Sequence, residues 1–399
     1  MDRLQMQGSD IPPQTLWSIF RRFLTFGLLA WGGPMAQIAM IRRELVDEEQ
    51  WLSPARFNHL LAVYQALPGP EAHELCVHLG MMARGRIGGL LAGLGFMLPG
   101  FVLMLMLAWA YGRLDLTRPL AAAALLGVQI GVIALIVRAV HRIGVHVIVN
   151  RHLLLIGVAS ALATFAGAPF WIVLPCAAVV YSCLGVGRYG AALAAIVTSV
   201  LLAYGVAGPA AASEDARNWG SQANGLLLFW VGLKAGMLTF GGAYTAIPFV
   251  RDAVVGRGWM SDGQFLDGIA LSGIIPAPLI IFATFVGYQA GGLVGALAIT
   301  AGVFLPAFGF TLLSFDRLER AIENERLRRL LDGIAAGVIG VIASTAVQLA
   351  MVVTGTSPML APTITIFLAA LALLYAWKSK ANVVAVIVCS AVAGGLAFA

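Results

Sequence analysis

Apolar residues run along the chain in thirteen stretches: approximately 23–41, 60–83, 87–112, 119–137, 153–168, 170–187, 190–207, 225–250, 264–290, 291–313, 333–353, 359–377 and 381–399. Short polar segments separate them, and 153–168 and 170–187 are parted only by the turn around Pro169. A helical bilayer crossing needs roughly 20 predominantly apolar residues. The pattern therefore predicts an all-α fold, a polytopic transmembrane helical bundle of about 13 segments. One polar stretch, Asp316–Asp332, reads as an amphipathic helix outside the bilayer.

Composition agrees. Of the 399 residues, 60% are hydrophobic and 11% charged, with a mean hydropathy of +0.89; a soluble domain carries about 25% charged residues. The formal charge of +6 does not point to nucleic acid, because the basic residues sit in short loops between apolar runs. With the N-terminus placed in the cytoplasm, eighteen of the 25 Lys and Arg fall in cytoplasmic segments, six fall outside, and Lys234 lies within a span. That bias is the positive-inside pattern, and it predicts N-inside, C-outside. No cleavable leader is expected in the first 22 residues. The cysteines Cys76, Cys176, Cys183 and Cys389 lie within apolar runs without a C-x-x-C spacing, and read as small buried apolar residues rather than metal ligands. No phosphate loop, H-E-x-x-H motif or nucleophile–base set is found, so neither ATP-driven pumping nor an enzyme is supported, and no cofactor is expected.

The two halves of the chain repeat one another. Gly27–Arg42 (GLLAWGGPMAQIAMIR) lies over Gly236–Arg251 (GMLTFGGAYTAIPFVR). Further on, Trp51/Trp259, Ser53/Ser261, Phe57/Phe265, Pro68/Pro276, Pro70/Pro278, Gly85/Gly292 and Pro99/Pro306 stay in order at nearly constant offset. Seven spans precede the second copy, and an odd offset inverts it. The chain therefore divides into a first repeat (1–189), a connecting span and loop (190–224) and a second repeat (225–399). Inverted repeats are a common plan for secondary transporters.

Each copy carries two helix breakers: Gly32-Gly33-Pro34 with its counterpart Gly241-Gly242-Ala243, and Pro68-Gly69-Pro70 with Pro276-Ala277-Pro278. Glycine and proline strain or remove helical hydrogen bonds, and a helix restarting after such a break offers unpaired amides and a positive dipole end to an anion. Four such ends could converge on one midplane cavity; the competing reading is ordinary kinks and close-packing glycines. Lys234, two positions before the second glycine pair, reads as a counter-charge for an anion or as a lysine snorkelling to an interface. Glu71, Glu74 and His78 share one helical face and are candidates for proton coupling; the alternative is a dipole-stabilising acid at Glu71 and a Glu74–His78 pair.

The segments FLTFGLLAWGGPMAQIAMIRRELV, WLSPARFNHLLAVYQALPGPEAHELCVHLG and GGLLAGLGFMLPG, followed by LTFGGAYTAIPFV and GWMSDGQFLDGIALSGIIPAPL, resemble the chromate ion transporter family. The resemblance covers about residues 20–140 and 225–345, with Ala243 and Ala277 departing from Pro34 and Gly69 of the first copy. It implies a bacterial inner-membrane protein that exports chromate and confers resistance, with sulfate as a related tetrahedral dianion. On the matching motif positions it implies substrate binding by Gly32, Gly33, Pro34, Pro68, Gly69, Pro70, Gly241, Gly242, Pro276 and Pro278, alongside Glu71. Beyond the oxyanion, the expected partner is membrane lipid; a homo-oligomer stays open. A sulfate or other oxyanion transporter and a fixed-pore anion channel are the alternative functions.

The orientation is testable by labelling. Cysteines introduced at Arg84 and Gly291 should react with an impermeant reagent from opposite sides of the membrane, Arg84→Cys from the cytoplasm. Reaction of both from one side removes the inversion.

Overall fold

The computed structural model describes residues 11, 13–31, 33–113, 118–206, 223–240, 242–322, 324–377, 379 and 381–399. Among them there is no strand, and fifteen α-helices carry the fold. The first half holds α1 (Leu16–Leu28), α2 (Pro34–Arg42, continued by a π-helical turn to Glu48), α3 (Pro54–Ala66), α4 (Glu71–Tyr111), α5 (Pro119–Val147), α6 (Arg151–Phe165) and α7 (Phe170–Leu184). After α8 (Tyr189–Val206) come α9 (Gly225–Met237), a 3-10 turn (Ala243–Ala246) leading into α10 (Ile247–Val255), and α11 (Asp262–Gly273). A second 3-10 turn (Leu279–Ile281) leads into α12 (Phe282–Ile322), followed by α13 (Glu325–Thr356), α14 (Leu360–Ala376) and α15 (Asn382–Phe398).

The expected spans 23–41, 60–83, 225–250 and 264–290 are thus not continuous helices. Each is interrupted at its glycine or proline motif, because those residues end one helix and start another. Side-chain oxygens of Thr15, Ser53, Asn224 and Ser261 cap α1, α3, α9 and α11, and Pro34 and Pro54 stand at the helix starts where a missing N–H costs nothing. The Asp316–Asp332 stretch is not one helix either. Asn324, whose side chain accepts from the Arg326 amide at 2.9 Å, starts α13 there, so the stretch is divided between α12 and α13.

The two halves share more than sequence. α1 and α9 are both 13 residues long, and α4 and α12 are both 41. Both long elements turn at the same place, at Arg84–Gly85 (φ/ψ −148°/35° and 62°/−162°) and at Gly291–Gly292 (−144°/22° and 61°/−153°). At each turn the chain folds back on itself. Gly80 packs on Gly88 and Ala92, and Gly287 on Gly295, while the hydroxyls of Thr284 and Thr300 meet at 2.7 Å. The returning arms of α4 and α12 then meet across the centre. Gly89 faces Leu312 and Gly93 faces Phe308, so these equivalent arms run antiparallel.

The halves also exchange partners. α5 packs against α14 and α15 of the second half, and α13 packs against α6 and α7 of the first. Small residues allow the close approach, as is usual between helices in lipid. A side chain on Gly127 would strike the Ser390 carbonyl, and one on Gly340 the Gly157 carbonyl. The main apolar core draws on both halves, with Ile133, Ile136, Phe265, Phe285, Val338 and Ile342 fully or nearly buried. The outside is apolar too. Leu90, Leu94, Leu98, Val102 and Met106 form an exposed i, i+4 row on α4, and Leu360, Ile364 and Leu368 one on α14. Such rows suit hydrocarbon and not water. Among the described residues, four helical stretches are long and apolar enough to cross a membrane: Glu71–Tyr111, Pro119–Val147, Leu279–Leu313 and Glu325–Thr356. Of the four cysteines only Cys76 is buried; Cys389 is exposed on α15, because a thiol on a lipid-side face needs no burial in protein.

The exchange predicts that Gly127→Leu and Gly340→Leu each destabilise the fold, by about 1–3 kcal/mol as for overpacking in a dense interior. Thermal unfolding in detergent should show a lower midpoint for both, while Gly190→Leu, where a side chain meets open space, should leave it unchanged.

Candidate functional site

The breaks of both halves come together in the middle of the molecule. α1 ends at Leu28, and the chain restarts at Pro34 through Gly33 at φ 79° and ψ −177°. Gly242 stands at the equivalent place with φ 122° and ψ 162°. This combination of angles is open in practice only to glycine, and a Cβ at either position would meet nothing within 4 Å. The backbone demands glycine there, and the space before it is empty. Side chains hold the broken ends: Gln37 Nε2 donates to the Ala30 carbonyl at 3.1 Å, Thr239 Oγ1 to that of Ala235 at 2.6 Å, and Thr245 Oγ1 to that of Gly242 at 2.7 Å. Among the described residues one backbone bond crosses from half to half: the Gly69 amide donates to the Thr239 carbonyl at 2.8 Å.

A cavity of about 570 Å³ opens from this junction toward one end of the bundle. Pro34, Glu71, Phe240, Gly242 and Tyr244 line its floor region; His59, Ala62, Val63 and Gln65 line it from α3. Ala139, Arg142, Ile143 and His146 come from α5, and Arg328, Leu331, Asp332 and Ala335 from α13. A water occupies about 30 Å³ of liquid, so the cavity holds a small ion with several waters. The Gln65 side chain hydrogen-bonds the Glu71 carboxyl, and Arg142 and His146 lie near enough to act on it electrostatically. Among the described residues no group of three or more His, Cys, Asp or Glu could hold a metal.

Of the residues singled out from sequence, Pro34, Glu71 and Gly242 line this one cavity, with Gly33 beside Pro34. Gly32 and Gly241 lie outside the described residues. Pro68, Gly69 and Pro70 are buried behind the floor, and Pro276 and Pro278 are buried in the matching break of the second half. Glu74 is wholly buried with its carboxyl against Gly69, and neither oxygen has a hydrogen-bond partner among the described residues. His78 Nδ1 sits 2.8 Å from the Tyr64 hydroxyl. Lys234 is exposed in the last turn of α9 and is not part of the cavity lining. The sequence reading missed Arg142, His146, Arg328, Asp332, His59 and Tyr244. The signal was present in part: α5 runs to Val147 and α13 starts at Glu325, well past the apolar stretches 119–137 and 333–353. By hydropathy the charged end of α5 reads as a loop and the start of α13 as part of a separate amphipathic helix.

Comparison with known proteins identifies the family. The sequence model of the family described as "Chromate transporter" matches residues 17–183 and 226–395. A chromate transport protein of Pseudomonas aeruginosa is 59% identical over 390 residues, covering 97% of this chain and 94% of that protein. A chromate transport protein of Cupriavidus metallidurans is 30% identical over 351 residues, covering 85% of this chain and 84% of that protein. No solved structure matches the chain. With both repeats matched by the family and near-full-length identity to the Pseudomonas protein, the chain belongs to the chromate transporter family.

Proposed function

We propose that this protein is a secondary transporter that carries chromate, or a tetrahedral oxyanion of the same charge and shape, out of the bacterial cytoplasm across the inner membrane. The observation that carries the reading is that the broken-helix starts of both halves line one cavity together with Arg142 and Arg328. Amides at helix starts and guanidinium groups recognise oxyanions by charge and by directed hydrogen bonds. The antiparallel arms of α4 and α12 support an inverted repeat, the arrangement that lets one site face either side in turn. In this reading Arg142 and Arg328 take the counter-charge role that the sequence placed on Lys234. Lys234 itself, exposed near a helix end, snorkels to an interface.

Direction follows from charge. Arg142, His146 and Arg328 line the cavity and are exposed, and by the positive-inside rule these helix ends lie in the cytoplasm. A dianion leaving a negative interior gains about 2.3 kcal/mol per charge per 100 mV, close to 5 kcal/mol in all. Export is therefore downhill on the membrane potential alone, and chromate resistance is its physiological consequence. Glu71, on the cavity wall, and Glu74 and His78 behind it form the candidate path for proton coupling. A fixed-pore channel would differ by not saturating at low substrate.

Radiotracer flux of chromate into everted vesicles, with sulfate competing and with the potential clamped, tests this reading. Arg142→Gln should raise the apparent KM about tenfold or more, since charged hydrogen bonds contribute about 1.5–3 kcal/mol; Arg142→Lys should recover part of the loss. Gly33→Leu and Gly242→Leu should accumulate in the membrane yet fail to transport. Glu71→Gln should flatten the dependence of flux on pH if Glu71 carries the coupled proton, and leave it intact if the acid only stabilises the helix start. Normal transport by all three cavity variants, Arg142→Gln, Gly33→Leu and Gly242→Leu, puts the site elsewhere.

A further inference from the structure

The two halves of this molecule are not in the same state. α3 corresponds to α11 at an offset of 208 (Phe57/Phe265, Ala62/Ala270), and α5 to α13 at an offset of 206 (Gly127/Gly333, Gly131/Gly337, Val132/Val338). The open cavity lies among α3, the end of α5 and the start of α13. Its counterpart belongs among α11, the end of α13 and the start of α5. A depression does lie there, lined by Gln129, Ser261, Asp262, Gly263, Val352 and Thr356 among others, but no residue of the four breaks lines it. The equivalent alanines report the difference directly: Ala62 is exposed in the cavity, and Ala270 is 3% exposed.

Polar bonds close the second side. Asp267 on α11 accepts from the Tyr111 hydroxyl at 2.7 Å and from Gln129 Nε2 at 3.1 Å, tying α11 to the end of α4 and to α5. Arg251 on α10 pairs with Asp262 at 2.7 Å and donates to Gln348 Oε1 at 2.9 Å, tying α10 to α11 and α13. The counterpart positions carry different chemistry. Arg251 corresponds to Arg42, Asp262 to Pro54, Gln348 to Arg142, Asp267 to His59 and Gln129 to Ala335. The same closure on the first side brings Arg42, whose nearest carboxylate is Asp47 of its own segment at 3.8 Å, toward Arg142 with no carboxylate at position 54 to bridge them. Like charges so placed repel unless an anion lies between them.

Resting on the transporter reading, we propose that the Arg251–Asp262–Gln348 and Tyr111–Asp267–Gln129 contacts are the closed gate of an alternating-access cycle, and that the opposite gate, with Arg42 and Arg142, closes over a bound dianionic oxyanion. The empty protein then rests with the Arg142 side open. The oxyanion supplies, between Arg42 and Arg142, the negative charge that Asp262 supplies in the second repeat and Pro54 cannot, and the second gate opens as the first one shuts.

Thiol labelling in nanodiscs tests the gate without any transport assay. In a background free of native cysteines, Ala62→Cys should react quickly with a maleimide and Ala270→Cys slowly. Combining each with Asp267→Asn and Arg251→Gln should slow Ala62→Cys and speed Ala270→Cys by at least several-fold; Tyr111→Phe, a milder change, should shift both in the same sense. Labelling in chloride is then compared with labelling in sulfate or molybdate, which share the tetrahedral dianionic form but spare the reporter thiols the oxidation chromate would cause. Either ion should protect Ala62→Cys and expose Ala270→Cys. If the gate variants speed Ala270→Cys without slowing Ala62→Cys, or change neither, the contacts are merely structural and the gate is refuted. If neither ion speeds Ala270→Cys, closure over an anion is refuted. Failure of the variant arm leaves the chromate flux and its dependence on Arg142 standing, so the two readings fall separately.

Discussion

A backbone amide in hydrocarbon must find a partner within the protein, and that constraint organises this molecule. A broken helix at membrane depth is tolerated only where other protein or a water-filled cavity surrounds it. Here each half contains two breaks, and neither half buries them alone. The bond from the Gly69 amide to the Thr239 carbonyl joins a break in the first half to one in the second. Gln37, Thr239 and Thr245 donate to backbone carbonyls beside the glycine motifs. What stays open is the cavity side, where Pro34 and Gly242 line the space.

The exchange of helices follows from the same need. With α5 held between α14 and α15, and α13 against α6 and α7, the two halves cannot separate without exposing their glycine-lined seams. Asp267 bonds Tyr111 and Gln129 across the seam, Arg251 bonds Asp262 and Gln348 within the second half, and Tyr375 meets His141 at 2.8 Å beside Arg142 of the open cavity. A nearly symmetric scaffold thus holds an asymmetric state. The asymmetry is written in individual residues, Gln348 against Arg142 and Asp262 against Pro54, on helices whose backbones repeat.

Much of this was legible in the amino-acid sequence. Apolar run length imposes helices in a bilayer, and the Gly-Gly and Pro-x-Pro motifs mark where those helices break, because backbone angles and missing donors are local properties. The repeat was legible for the same reason: Trp51/Trp259 and Pro99/Pro306 keep their spacing along the chain. Helix ends were less so. Hydropathy stops at the first charges, whereas α5 continues through Arg138 and Arg142, and α13 begins before Arg328, since a cavity wall can hold charge that lipid cannot.

Only the tertiary structure decided which cation meets the cavity. Lys234 and Arg142 both lie on helices, and the sequence alone favoured Lys234 for its depth in an apolar run. Rotation of each helix about its own axis settles which one faces the cavity, and that rotation is set by packing: α9 on α12 leaves Lys234 exposed, and α5 on α13 turns Arg142 toward the cavity. The pairing of Asp267 with Tyr111, 156 positions apart, is likewise a product of the fold. The sequence determined where the helices are and where they break, because those follow from short-range sterics and from solvent. Which broken ends meet, and which charges they face, depends on contacts between residues hundreds of positions apart, which no local pattern encodes.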